Sequence, residues 1–357
     1  MKRRDFLKKA AVGAVAAGTA PAVLAQSNKK IRWRMATSWP KAFDTIYGGA
    51  ETVAARVKAM TGGQFEIIPY AGGELVGGLE VFDAVSQGTV QMGHTASYYY
   101  IGKDPSLAFD TALPFGLNYR QQNAWLYNGG GMEKLRKVFA KHNIVNFPAG
   151  NTGVQMGGWF RKEVSTVADL QGLKMRIPGL GGKVMSRLGA TVQVLPGAEI
   201  YPALERGVID ATEWVGPYDD EKAGFYKVAK FYYHPGWWEP APTLSLYVNQ
   251  KAWDSLPKEF QEIVASAAAE ANLNMMVDYD SKNPKAIKSL LDKGVQMREY
   301  SKEIMDAARK ESFALYDELA AGDATFKDIF ENWKAFKAES DAWFSTAETS
   351  YANFNFK

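Results

Sequence analysis

Cysteine is absent from the 357-residue chain, which excludes disulfides, thiolate nucleophiles, Cys-ligated zinc and iron–sulfur clusters together. Histidine is scarce, with only His94, His142 and His234. That is too few for a His-rich metal centre, and it removes the usual participant in most acid–base machinery. An excess of one charge is missing too, since 42 Lys and Arg face 39 Asp and Glu, so no basic face for nucleic acid is implied. No Gly-x-Ser-x-Gly elbow occurs, and residues 178–183 lack the spacing and the following Ser or Thr of a phosphate loop. Past residue 25 no stretch approaches the ~18 apolar residues of a membrane span. No repeat of fixed period marks a solenoid.

What is present begins with an address. Lys2, Arg3, Arg4, Lys8 and Lys9 stand against Asp5 in the first 25 residues, so the charge excess of the chain sits there and the remainder is close to neutral. A weakly apolar run from Ala10 to Leu24 ends in small residues suited to signal-peptidase cleavage after Ala25. Arg3-Arg4 followed by Phe6-Leu7-Lys8 resembles a twin-arginine export signal, a receptor-read address and not an anchor. Residues 1–25 are expected to be a leader and the mature protein a soluble periplasmic one. Lack of cysteine fits that oxidising compartment.

The mature chain reads as α/β. Alternation over residues 31–36 predicts a half-buried strand, and the helical pattern through Ile46, Val53, Val57 and Met60 stops at Thr61-Gly62-Gly63. A strand at 65–70, a short helix at 81–85 and a strand at 90–93 complete a β-α-β-α-β order with mostly parallel strands. The same grammar returns from Ser165: a turn capped by Ser165 or Thr166, strands near 173–177, 190–195 and 208–214, and helices between them. The last third is helical, with Ser255 as a cap, Pro257 in the first turn, a new helix starting at Asn283-Pro284, and a stripe of Phe326, Ile329, Trp333 and Phe336. Two α/β units predict two lobes with a cleft, and ligands in such sheets bind beyond the carboxyl ends of strands.

Three places carry chemistry. Residues 151–159 combine glycines with the amides of Asn151 and Gln155, which fits either a Gly-rich turn or close approach to a ligand. Arg176 stands among apolar neighbours on a short strand, where a guanidinium pairs a structural carboxylate or offers its fork to a ligand carboxylate. Residues 213–221 hold four carboxylates. Asp219, Asp220 and Glu221 read as a solvated acidic turn, whereas Glu213 ends an apolar strand beside Trp214. Gln155 and Glu213 are hard oxygen donors that suit sodium or calcium, not zinc or copper.

Residues 165–176, Ser-Thr-Val-Ala-Asp-Leu-Gln-Gly-Leu-Lys-Met-Arg, resemble the signature of the DctP family, the solute-binding subunits of tripartite ATP-independent periplasmic (TRAP) transporters. The runs at 150–161, 211–222 and 235–239 are similar to its 2-oxo-acid branch. The resemblance implies a two-lobe, type II-like periplasmic binding protein with strand hinges and a long bridging helix. Its lobes would be residues 26–151 plus about 241–279, and 152–240 plus about 280–357. It implies a receptor and not an enzyme, holding a small 2-oxo monocarboxylate such as pyruvate or 2-oxobutyrate and passing it to small and large membrane subunits.

By position in that family, Arg176 takes the carboxylate. Gln155, Glu213 and the backbone carbonyl of Trp214 hold a metal ion, sodium before calcium, with Glu239 as a further ligand. Asn151 and the tyrosines at 98–100, Tyr99 and Tyr100 above all, line the substrate. A homodimer through a C-terminal helix is implied, with Phe326–Phe336 as its segment. The competing readings are a receptor for lactate or another carboxylate with calcium, and a secreted lyase or hydrolase using Glu213 and Glu239 as acid and base.

Overall fold

The structure, a computed structural model, describes residues 30–356, so the leader expected over residues 1–25 lies outside the described residues. The alternation at the start of the mature chain becomes β1 (Ile31–Thr37), whose alternate residues face the core. β1 pairs in parallel with β2 (Phe65–Tyr70) and β3 (Met92–Thr95), and helices Ile46–Met60 and Val81–Ser86 lie between them. β4 (Ile144–Asn151) completes this first layer on its far side. The second sheet contains β5 (Trp159–Phe160), β6 (Lys174–Arg176), β7 (Thr191–Gln193), β8 (Ala211–Thr212) and β9 (Phe231–His234). β10 (Thr243–Asn249) returns to the first sheet, giving the order β2-β1-β3-β10-β4, and β11 (Gln296–Glu299) joins the second, β11-β9-β5-β8-β6-β7. Thr166 and Asp169 cap the turn before β6 reciprocally.

Parallel pairing holds within each β-α-β unit but not at the strands that cross over. β10 runs antiparallel to both β3 and β4, and β5 antiparallel to both β8 and β9. Each arrives by a short connection from the other sheet, with no crossover helix to impose a parallel return. The chain passes between sheets three times: after β4, after β9, and along the helix Lys258–Asp292. The first two crossings run side by side, with Thr152 N–H donating to Pro242 at 3.2 Å and Gln155 N–H to Glu239 at 3.1 Å.

The third crossing differs from the sequence reading. One helix of 35 residues, about 50 Å long, runs through Pro284, which is inside it and does not start a new helix. An internal proline costs about 3 kcal/mol. Packing on both lobes offsets that: Val264, Ala267, Ala268 and Ala271 enter the first lobe's core, while Tyr279 and Leu290 enter the cluster shared with the second. The helix begins at Lys258, and Ser255 does not cap it; the Ser255 hydroxyl donates to Ala252 at 2.6 Å.

Two further helices end the chain. Lys302–Gly322 lies on the second lobe's helix Gly179–Arg187, and Ala324–Phe344 turns back onto helices Tyr119–Asn128 and Gly131–Ala140 of the first. The apolar stripe of the last helix is therefore spent inside the chain. Phe326, Ile329, Phe330 and Trp333 are buried against Phe109 and Tyr316, so the apolar stripe of Phe326–Phe336 is not the face open to a second copy. The exposed rings come later, at Trp343, Tyr351 and Phe356.

Candidate functional site

β6 and β8 are parallel neighbours, and their carboxyl ends deliver Arg176 and Glu213 to the same place. Both side chains are essentially without solvent exposure, and they form an ion pair, Arg176 Nη1 to Glu213 Oε1. The Arg176 Nε donates to the Leu195 carbonyl at 3.1 Å, and Nη1 reaches the Glu213 carbonyl at 3.3 Å. Its Nη2 has no partner. The guanidinium carbon lies 5.5 Å from the centre of the Trp214 ring. A buried arginine with one arm paired and one arm free is built to take a second anion.

The two antiparallel crossings supply the rest. Gln155 on the first donates from Nε2 to Thr152 at 3.1 Å and leaves Oε1 unpartnered. Glu239 on the second stands beside Tyr98 and leaves Oε2 unpartnered. Glu213 Oε2 and Trp214 Nε1 are unpartnered as well. Buried polar atoms without partners are rare because each costs about 1–3 kcal/mol. Here three oxygens and one guanidinium arm are left so, on Gln155, Glu213, Glu239 and Arg176.

Burial pushes the Glu213 carboxyl up to about 7, against the pull of Arg176. It pushes Glu239 well above the carboxylate range, and the charge of Glu213 adds to the rise. Burial alone would lower Arg176, but Glu213 holds it above its ordinary value. Among the described residues no group of three His, Cys, Asp or Glu side chains gathers for a metal ion, so the donors present are two carboxylates and an amide. Oxygen donors of that kind fit a hard ion such as sodium or calcium.

The remaining residues singled out from sequence divide. Asn151 is buried, but its amide is committed: Nδ2 donates to Ala241 at 3.2 Å, and Oδ1 accepts from Gly153 N–H at 2.9 Å. The tyrosines occupy a 3-10 turn, Ser97–Tyr100, where successive rings point in different directions. Tyr99 faces the Arg176 guanidinium. Tyr100 points away, its hydroxyl 2.9 Å from Thr95 Oγ1. Tyr98, which sequence reasoning named only as one of three, meets Glu239. Its ring fits because Gly179 faces it: a Cβ there would stand 3.1 Å from Tyr98 Cβ. Trp39 and Phe43 were missed altogether. They cross from the first lobe to pack on Trp214, with ring centres 6.5 and 5.1 Å away. The lobes are thus closed on one another.

Two carboxyls of the acidic turn are not solvated, and the third, Glu221, is half-buried and paired with Lys293. Asp219 accepts from Tyr279 at 2.7 Å, and Asp220 from Trp159 at 3.0 Å and Tyr232 at 2.6 Å, both carboxyls buried. Asp220 also accepts the Val215 N–H at 3.2 Å, which fixes the strand end carrying Glu213 and Trp214. These carboxyls hold the site without facing it.

Comparison with known proteins gives the family and the fold. The family model for bacterial extracellular solute-binding proteins, family 7 (DctP), matches residues 35–323. A monocarboxylate 2-oxoacid-binding periplasmic protein of Nostoc is 58% identical over 99% of both chains. A TRAP transporter solute-binding protein from Bordetella bronchiseptica, a mixed-occupancy dimer with calcium and picolinate, superposes with a TM-score of 0.91 at 50% identity, covering 92% of this chain and 97% of that one. One from Pseudoalteromonas atlantica with bound sodium and pyruvate gives 0.89 at 42% identity, covering 91% and 99%.

Proposed function

We propose how this chain, which belongs to the DctP family of bacterial extracellular solute-binding proteins, holds its ligand. It is the periplasmic receptor of a TRAP transporter, not an enzyme, and its ligands are small 2-oxo acids. Arg176 receives the ligand carboxylate on its free Nη2, with Tyr99 beside it. Gln155 Oε1, Glu213 Oε2 and the Trp214 carbonyl hold a cation, with Glu239 as a further donor. When bound, that cation supplies a positive charge for the ligand's carboxylate and 2-oxygen, so both functional groups are read at once. Trp39, Phe43 and Trp214 wall the site and limit chain length. A dicarboxylate would need a second cationic side chain, and Arg176 is the one these residues supply.

The observation that carries this reading is the set of unpartnered atoms, one guanidinium arm and three side-chain oxygens, in a site closed to water. Sodium is the preferred ion. Export follows the twin-arginine route signalled by Arg3-Arg4. Two copies pair through the exposed aromatic end of the chain around Trp343, Tyr351 and Phe356. The test is calorimetry with pyruvate after dialysis against chelator, with and without sodium or calcium. Affinity should rise with cation in the parent and lose that dependence in Glu213→Gln. Cation-independent binding that Glu213→Gln leaves unchanged would reduce the site to a plain carboxylate pocket.

A further inference from the structure

We infer that Asp44, Tyr218 and Lys222 form a latch between the two lobes that sets how long the ligand stays bound. The inference rests on the receptor reading above, in which the lobes close over a ligand. Asp44 lies in the first lobe, in the loop before helix Ile46–Met60. Tyr218 and Lys222 stand one turn apart on the second lobe's helix Pro217–Ala223. The Tyr218 hydroxyl donates to Asp44 Oδ2 at 3.0 Å, and Lys222 Nζ pairs with Oδ1. Lys282 joins from the bridging helix, 3.7 Å from Asp44 and 3.1 Å from Thr45 Oγ1. Both ammonium groups lie over the Tyr218 ring, at 4.3 and 4.6 Å. Charge in the cluster is balanced, since Asp278 pairs with Lys282.

Short, stiff connections tie this cluster to the ligand site. Phe43, next to Asp44, packs on Trp214 at 5.1 Å. The latch helix starts three residues after Trp214. Its first turn is pinned to the bridging helix, Tyr218 N–H donating to Asn283 Oδ1 at 3.0 Å. Separating the lobes breaks the Asp44 contacts and leaves each lobe's own packing intact. An exposed ion pair adds little to a fold. A contact present in only one of two states nevertheless shifts their balance by its full value. The effect falls on release, because the lobes must part and the Asp44 contacts break before the ligand leaves.

Stopped-flow tryptophan fluorescence on the full chain, with pyruvate at fixed sodium, tests this. Asp44→Asn and Lys222→Met should each speed release by about threefold to tenfold and leave association within about twofold. The double variant should release no faster than the faster single one, since both remove the same contact. Asp44→Glu should keep release slow. Added potassium chloride should speed release in the parent but not in Asp44→Asn. Unchanged release in both single variants, or additive effects in the double, would overturn the latch. X-ray scattering of the ligand-free protein separates this from the ligand assignment. A parent that ignores pyruvate refutes that assignment, and the latch then stands or falls on whether Asp44→Asn has a larger radius of gyration than the parent.

Discussion

Two polar clusters lie equally deep in the molecule and differ in what their atoms touch. Inside the first lobe, Asp110 accepts from Ser97 and Ser245 on one oxygen and from Asn146 at 2.9 Å on the other. Tyr247 extends the network through Ser97 at 2.5 Å. Between the lobes, Arg176, Glu213, Glu239 and Gln155 are just as buried, yet each keeps one polar atom without a partner. The first cluster satisfies both oxygens of Asp110 within the chain, leaves Asn146 Oδ1 over, and ties the Ser97–Tyr100 turn, β4 and β10 together. In the receptor reading proposed above, a ligand and its ion complete the second. Burial alone thus says nothing about function. Buried atoms left without partners at one place do.

That contrast breaks most sharply at Asp110. Asp110→Ala strands Ser97, Ser245 and Asn146 in a dry core, and the cost should be about 3–5 kcal/mol of stability. Denaturant titration should show it as a lower midpoint with the slope unchanged. Pyruvate affinity of the folded fraction should stay that of the parent. A variant as stable as the parent would mean that the network in the first lobe is ornamental and that the two clusters do not differ as described.

At Arg176 the expected loss moves from stability to binding. Lysine keeps a charge for Glu213 but has no planar fork and no second arm aimed at the ligand. Arg176→Lys should lose about 2–3 kcal/mol of pyruvate affinity, the order for hydrogen bonds to charged groups. Calorimetry on the refolding-competent variant gives this directly. Undiminished affinity would remove Arg176 from the site.

Legibility followed locality. β1, β2, their intervening helix and the Thr166–Asp169 capping box depend on neighbours in sequence, and each stands where alternation, periodicity and glycine stops place it. Pro284 misled because its local penalty was weighed without the two lobes that the helix joins. β4 and β10 carry no alternation, since every residue of both is buried. The Phe326–Trp333 stripe announced a buried face correctly, but periodicity cannot say whether the same chain or another copy covers it. Asp219 and Asp220 looked solvated because their partners, Tyr279, Trp159 and Tyr232, come from distant segments. The candidate site was the least legible from pattern. Gln155 and Glu239 lie on two crossings and Glu213 at a strand end, so resemblance to a family named them together where spacing could not.

The smallest effect belongs to Gln155, and it is the most discriminating. In the unliganded site its Nε2 makes one hydrogen bond to Thr152 while Oε1 is buried without a partner. Methionine has similar length and no polar atom to desolvate. Gln155→Met therefore loses one hydrogen bond, about 1 kcal/mol, and removes one unsatisfied acceptor of about the same cost. The two nearly cancel, and the melting temperature without ligand should stay within about 2 °C of the parent. With cation present the oxygen is missed. Sodium-dependent pyruvate affinity should fall by about tenfold, and the thermal shift produced by pyruvate should shrink with it. A purely structural Gln155 would give the opposite pattern, a lower melting temperature and an intact ligand-induced shift.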